Sequence, residues 1–288
     1  MLPRHDGDGH GKMQGMSIVR ALSHLVTQGP SKPARSLVDR RLVERRRHHH
    51  VPTTWIDVEK AAGATIVHLH GGGYLRGADQ NTWEWLEDLR RRSDTAAAMV
   101  HYRVAPRYPF PYAFDDALQA VLSLTRNSVV RPGRWVLSGD GAGGGLALAV
   151  AQSLREYGGG EPALLMLTTP WLDLSEERLR SPKLREAADL YADGADRDDP
   201  RLNPLRGDMT GLPPVHLTTG GDDLLLADST RLTEKLREAG VELDVHASLE
   251  GGHSFPLQQR SPAAQAARRS QITAVRRALD LDRELPGA

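Results

Sequence analysis

The residues whose spacing is most suggestive of chemistry form a glycine-rich turn between a predicted strand and a predicted helix. Residues 139–143 read Gly-Asp-Gly-Ala-Gly, after the short strand 134–137. A Gly-x-Ser-x-Gly turn of this kind lifts a nucleophilic hydroxyl above a sheet. Here Gly141 stands at the nucleophile position. Because glycine has no side chain, no covalent acyl intermediate can form on it.

A second glycine-rich segment follows an earlier predicted strand. His70 is followed by Gly71, Gly72 and Gly73, and then by Tyr74. Consecutive glycines allow a tight turn and leave backbone N–H groups free to point at one place. Such a group of amides makes an oxyanion hole, which stabilises negative charge on a carbonyl oxygen. The alternative interpretation is an ordinary glycine-rich turn.

An acidic pair and a histidine follow two later strands. Asp222 and Asp223 come after the predicted strand 215–220, and His253 comes after the predicted strand 243–249. Taken singly, a loop aspartate is usually a helix cap and a loop histidine is usually structural. The chain order of turn, acid and histidine nevertheless matches the order of nucleophile, acid and base. This order favours His253 as a general base.

These segments must be positioned by a regular scaffold, and the chain from residue 53 onward alternates between strands and helices. The remaining predicted strands are residues 53–58, 64–70, 96–104 and 163–169, and predicted helices include residues 83–92 and 113–124. Such alternation predicts an α/β fold with a mostly parallel sheet covered on both faces. A polar stretch between residues 173 and 213 interrupts it. We expect part of that stretch, about residues 175–207, to form a lid.

The first 50 residues are predicted to be a separate capping segment, with the core spanning residues 51–288. One or two amphipathic helices are expected there. One has a face made of Ile18, Leu22, Leu25 and Val26, and the other has Leu37, Arg41 and Glu44. The run Arg-Arg-Arg-His-His-His at residues 45–50 is interpreted as a solvated helix end. The alternative is a metal or nucleic-acid site.

The composition excludes several classes of function. The chain has 288 residues, of which 39% are hydrophobic and 26% are charged, as expected for one large domain with a small lid. Its 37 basic residues balance its 37 acidic ones, so we expect neither nucleic acid nor a membrane as a partner. Cysteine is absent, which excludes disulfides and thiolate catalysis. We expect no cofactor, no metal and a cytoplasmic location, with a homo-oligomer possible.

Several motifs taken together resemble one family. The chain is similar to the hormone-sensitive-lipase-like branch of the α/β-hydrolases, bacterial esterases with a His-Gly-Gly-Gly loop. The matching stretches are residues 70–74, 102–106 with 109–111, 139–145, 170–173, 211–214 and 251–255. The resemblance covers about residues 50–280 and implies an α/β-hydrolase fold with a helical lid.

The resemblance also implies roles for individual residues. The oxyanion-hole donors would be the backbone N–H groups of Gly72, Gly73 and Ala142. The base would be His253, oriented by Asp223, with Asp222 as the alternative acid. His70, Tyr74 and Asp140 are expected to contact the substrate, a small carbonyl or ester compound.

Gly141 departs from the family pattern, because the family has serine there. Ser138 lies three residues too early to replace it, and Ser254 would need a different geometry. Three functions remain open. The first is non-covalent acid/base chemistry: elimination, dehydration, cyclisation or water-mediated hydrolysis. The second is a small-molecule receptor, and the third is an ordinary esterase inactivated by a serine-to-glycine change.

The glycines also form a dinucleotide-binding pattern, with Gly139, Gly141 and Gly144 between a strand and a helix. Such a site also needs an acidic residue at the end of the next strand. That strand ends in Thr169 and Pro170 instead. Dinucleotide binding is therefore not expected.

Overall fold

In the part of the chain that the structure describes, eight strands form one central sheet. The structure, a computed structural model, describes residues 32–175, 179 and 181–281. The strands are β1 (Val43–His48), β2 (Val51–Ile56), β3 (Thr65–Leu69), β4 (Ala96–Val100), β5 (Trp135–Asp140), β6 (Leu164–Thr168), β7 (Val215–Gly220) and β8 (Leu243–Ser248). Their spatial order is β1-β2-β4-β3-β5-β6-β7-β8. Strand β2 pairs antiparallel with both of its neighbours, β1 and β4. The other neighbouring pairs, from β4 across the sheet to β8, are parallel.

Helices cover both faces of this sheet. In the described residues they are α1 (Gln80–Ser93), α2 (Tyr112–Arg126), α3 (Gly141–Leu154), α4 (Pro182–Ala192), α5 (Leu226–Glu238), α6 (Phe255–Gln258) and α7 (Pro262–Ala278). Successive strand residues point to opposite faces. Val67 and Leu137 therefore join the core under α2 and α3, while Ile66 and Val136 join the core under α1 and α7. The predicted α/β architecture is confirmed.

The N-terminal side of the sheet differs from its prediction. The helix expected around Leu37, Arg41 and Glu44 is wrong, because Arg40–Leu42 is a single 3₁₀ turn that leads directly into β1. Residues 45–48 of the arginine and histidine run lie on this strand, because pairing with β2 competes successfully with a helix, and His49 and His50 form the turn to β2. Its arginines are exposed, as predicted. The sheet therefore begins before residue 51. The other predicted helix, at residues 18–26, lies outside the described residues.

The segment between β6 and β7 leaves the sheet and returns to it. It contains α4 and a 3₁₀ turn at Pro204–Arg206. Tyr191 of α4 stacks on Tyr74, with ring centroids 3.8 Å apart and planes 3° from parallel. This contact fixes α4 beside the carboxyl ends of the strands. Among the described residues, no helix is long and apolar enough to cross a membrane.

Candidate active site

The turn between β5 and α3 places Gly141 at the centre of the site. Gly141 begins α3 with a φ of +50°, a left-handed conformation that is costly for residues with a side chain. Two residues later, a Cβ on Gly143 would lie 2.0 Å from the carbonyl oxygen of Leu69. Glycine at 143 lets α3 start directly against β3. The turn thus projects residue 141 above the carboxyl edge of the sheet.

His253 faces the side-chain direction of Gly141. A Cβ built on Gly141 would lie 3.0 Å from Nε2 of His253 and 3.4 Å from its Cε1. His253 stands in the loop between β8 and α6, and 51% of its side chain is exposed. Its Nε2 can therefore reach any group held above Gly141.

Asp223 holds the other ring nitrogen of His253. Nδ1 lies 3.2 Å from Oδ1 and 3.3 Å from Oδ2 of Asp223, so its N–H donates to this carboxylate. Oδ1 also accepts a hydrogen bond from the backbone N–H of Leu225, at 3.0 Å. Asp223 is buried and Asp222 is exposed. Of the two aspartates left open by the sequence, Asp223 is the one that contacts His253.

The charge state of His253 follows from two opposed effects. Burial of the ring lowers the pKa of His253, but the hydrogen bond and charge of Asp223 and the charge of Asp140 outweigh it. The net result is a pKa above the ordinary value for histidine. A base of this kind has a stronger affinity for a proton taken from a substrate or from water.

The loop after β3 supplies backbone donors to the same space. Gly72 and Gly73 both have positive φ. Within the described part of the chain, their amides donate no hydrogen bond. Ala142 lies in the first turn of α3, where amides have no partner inside the helix. All three residues line one cavity of about 760 Å³ together with His253. The predicted oxyanion donors and base are thus brought together.

Asp140 connects this loop to the His253 loop. Oδ1 accepts the N–H of Gly71 at 2.7 Å and lies 3.3 Å from Nε2 of His68. Oδ2 accepts the hydroxyl of Ser254 at 3.3 Å. Burial raises the pKa of Asp140. The interactions with His68, the Gly71 N–H and His253 lower it by a larger amount, so the pKa lies below its ordinary value. Asp140 lines the cavity as a negative charge.

His70 and Tyr74 were expected to contact the substrate, but both lie behind the cavity wall. His70 is 1% exposed and stacks on Tyr102, and Nδ1 lies 2.8 Å from the carbonyl oxygen of Gly71. Burial lowers the pKa of His70 to about 4, so the ring is neutral at pH 7. Tyr74 is 2% exposed and packs on Tyr191. Both rings pack against aromatic side chains beneath the loop instead.

Neither nearby serine is placed to replace the missing hydroxyl. Ser138 is fully buried within β5, and its Oγ lies 3.1 Å from Nδ1 of His68. Ser254 is 3% exposed, and its Oγ points to Asp140 and Thr169. Both hydroxyls form hydrogen bonds to buried residues beneath the site.

Sequence reasoning missed six polar residues that line the cavity. They are Arg76, Asp79, Thr82, Lys183, Glu186 and Gln258. Arg76 and Asp79 follow the His-Gly-Gly-Gly segment closely, so their short distance from it in the sequence was the one available indication that they line the site. Lys183 and Gln258 come from α4 and α6, and nothing in their local sequence marks them.

Comparison with known proteins identifies the family. Residues 66–257 match the family described as having the alpha/beta hydrolase fold. An acetyl-hydrolase from Streptomyces hygroscopicus is 34% identical over 204 residues, which cover 67% of this chain and 68% of that one. The chain belongs to the hormone-sensitive-lipase-like α/β-hydrolases. An esterase from Acinetobacter venetianus is 32% identical to this chain over 213 residues, 68% of each chain.

Solved structures of esterases are similar to this chain over most of its length. The structure of EstE5 superposes with a TM-score of 0.78 and 28% identity, covering 94% of this chain and 95% of that one. An esterase from the bacterial hormone-sensitive lipase family has a TM-score of 0.72 and 28% identity, covering 87% and 86%. The chain thus shares its scaffold with esterases, and Gly141 lies in the turn between β5 and α3 of that scaffold.

Proposed function

We propose that the protein is a carboxylesterase-like hydrolase that cleaves a small ester by activating water, without a covalent intermediate. The observation that carries the proposal is the distance of 3.0 Å between Nε2 of His253 and the side-chain position of Gly141. Where a serine hydroxyl would stand, glycine leaves room for the oxygen of a water molecule. A base already faces that position.

The steps of the reaction follow from this geometry. Nε2 of His253 takes a proton from the water, and the water oxygen forms a bond to the acyl carbonyl carbon. The carbonyl π electrons move to its oxygen, which the amides of Gly72, Gly73 and Ala142 stabilise. The intermediate then collapses, the bond to the alcohol oxygen breaks, and His253 returns the proton to that oxygen. The products are a carboxylic acid and an alcohol.

Known magnitudes make this mechanism feasible. A positioned general base contributes roughly 10²–10⁴-fold. One oxyanion-hole donor contributes about 2.7–4 kcal/mol of transition-state stabilisation. Proteases that have lost their triad also retain about 10³–10⁴-fold catalysis over water through the hole and substrate binding. Loss of the serine therefore lowers activity without removing it.

Hydrolysis is the preferred chemistry among those that His253 could support. The relatives are named as acetyl-hydrolases and esterases, and none of those described above is named as a lyase or cyclase. Elimination and cyclisation use the same base, but no observation in the site favours them over attack by water.

The decisive experiment measures hydrolysis of p-nitrophenyl acetate by the parent chain and by His253→Ala. We expect His253→Ala to lower kcat/KM by about 10²-fold or more. The matched control is His246→Ala, a histidine on β8 outside the cavity. Equal rates for the parent and His253→Ala would contradict the base assignment. Binding of an ester without any turnover would instead favour the receptor function.

A further inference from the structure

The cavity above Gly141 is lined by an unusual number of charged side chains for an ester site. Besides Asp140 and His253, these are Arg76, Asp79, Lys183 and Glu186. Pockets for small ligands are mostly apolar, and their few polar groups determine what is bound. The pairing of these charges therefore bears on the chemistry of the substrate.

Each carboxylate of the cavity already has partners in the protein. Asp140 accepts the Gly71 N–H. Asp79 caps α1 by accepting the backbone N–H of Thr82 at 2.8 Å, and its other oxygen accepts Nε2 of Gln258 at 3.2 Å. Glu186 also takes part in an interaction. None of the three requires a cation from the substrate.

The two cationic side chains of the cavity, Arg76 and Lys183, differ from its carboxylates in their partners. No hydrogen bond or ion pair joins the side chain of Arg76 or Lys183 to another residue in the described part of the chain. By contrast, Arg231 bridges Asp173 and Asp228 at 2.8 Å each, and Arg90 bonds Glu87 and Asp57. The two cavity cations keep their charge available.

Their positions place this charge on the walls of the cavity that His253 and the oxyanion amides also line. The backbone N–H of Arg76 donates to the carbonyl oxygen of Gly72 at 3.2 Å, so Arg76 belongs to the turn that carries the oxyanion amides. Lys183 lies in the first turn of α4, which has no acidic residue there. Ala187, one turn further along the same helix face, also lines the cavity. The cations thus come from two walls of one cavity.

We propose that the substrate carries a carboxylate on the part remote from its reacting carbonyl, and that Arg76 and Lys183 bind this carboxylate. That the reacting carbonyl belongs to an ester rests on the proposed function, whereas the contact between the cations and the carboxylate does not. Guanidinium and ammonium groups both bind carboxylates through charge-assisted hydrogen bonds. Because both side chains are exposed at the cavity wall, the gain in affinity is moderate.

The test compares two unreactive ketones of equal chain length, 5-oxohexanoate and 2-hexanone, by calorimetry with the parent chain. We expect 5-oxohexanoate to bind about five- to tenfold more tightly, as two exposed ion pairs would allow. The preference should shrink between 50 and 500 mM NaCl, because salt screens exposed charges. Equal affinities at low salt would overturn the proposal.

Variants locate the binding site. The double variant Arg76→Gln/Lys183→Gln should lose the preference, while Arg185→Gln should keep it. Arg185 is an exposed cation on α4 outside the cavity, so it controls for a general loss of positive charge. Loss of the preference in Arg185→Gln, or its survival in the double variant, would contradict the assignment. Preference without ester hydrolysis would refute the proposed function alone, and hydrolysis without preference would refute this inference alone.

Discussion

Replacing Gly141 tests the geometry of the site most directly, because two separate consequences follow from one position. Any side chain at 141 must adopt the φ of +50° seen for the glycine. A left-handed conformation costs a residue with a Cβ about 1–2 kcal/mol. The added Cβ also lies 3.0 Å from Nε2 of His253, so the half-exposed ring must move by a few tenths of an ångström.

Gly141→Ala and Gly141→Ser should therefore both lower the free energy of unfolding by about 1–2 kcal/mol. For a domain of this size, this corresponds to a fall in Tm of roughly 2–6 °C. Calorimetric melting of the parent and both variants measures it. The two variants share the same backbone strain and the same Cβ, so their Tm values should agree closely.

The second consequence separates the two variants. In Gly141→Ser, Oγ comes within reach of Nε2 of His253 and stands beside the amides of Gly72, Gly73 and Ala142. We expect hydrolysis of p-nitrophenyl butyrate to rise by about 10²-fold or more, since an activated nucleophile adds to the catalysis that the hole supplies alone. A fluorophosphonate should label this variant once per chain, as seen by intact mass.

Gly141→Ala is the matched control, because it has the strain without the hydroxyl. It should show no gain in hydrolysis and no labelling. The reasoning fails if both variants melt at the parent Tm, which would show that the turn is not left-handed at 141. It also fails if Gly141→Ser is neither labelled nor faster, since His253 would then not face that position.

Three further predictions concern the groups around Gly141. The parent chain should form no fluorophosphonate adduct by intact mass, and stoichiometric labelling of any serine would contradict this. Asp223→Asn removes the interaction that raises the pKa of His253. The midpoint of the pH–kcat/KM profile should therefore move to lower pH, and its plateau should fall by about 10²-fold. An unchanged profile would refute the pairing of Asp223 with His253. Asp140→Asn should lower stability at pH 7 by about 1–3 kcal/mol. Because the folded pKa of Asp140 lies below the ordinary value for aspartate, this stability is present above the ordinary value and disappears as the pH falls through the folded pKa. Denaturant unfolding at pH 7 and pH 3 should therefore show a smaller pH dependence in the variant than in the parent.

Local pattern was enough to predict the scaffold of this protein. The strands β3, β5, β6 and β7 are short runs rich in apolar or β-branched residues, and such a run is typical of a strand buried on both faces, as these four are. Three turns could also be recognised in the sequence: the loop after β3, the turn between β5 and α3, and the His253 loop. Each follows a strand and contains glycines that the backbone geometry requires.

Contacts between different segments decided what the local pattern could not. Residues 43–48 have no strong preference of their own, and β2 made them a strand. Asp222 and Asp223 are chemically equivalent in sequence, and the direction of one turn put only Asp223 against His253.

The surroundings of the cavity were also set by tertiary structure. His70 and Tyr74 stand next to the oxyanion glycines in sequence, yet their rings fill space behind the wall because Tyr102 and Tyr191 pack on them. Arg76 and Lys183 are more than 100 positions apart and line the same cavity. The sequence alone thus determined which backbone turns exist and which residue types they carry. Folding in three dimensions decided which of those side chains face the reacting position, because that depends on contacts between segments far apart in the chain.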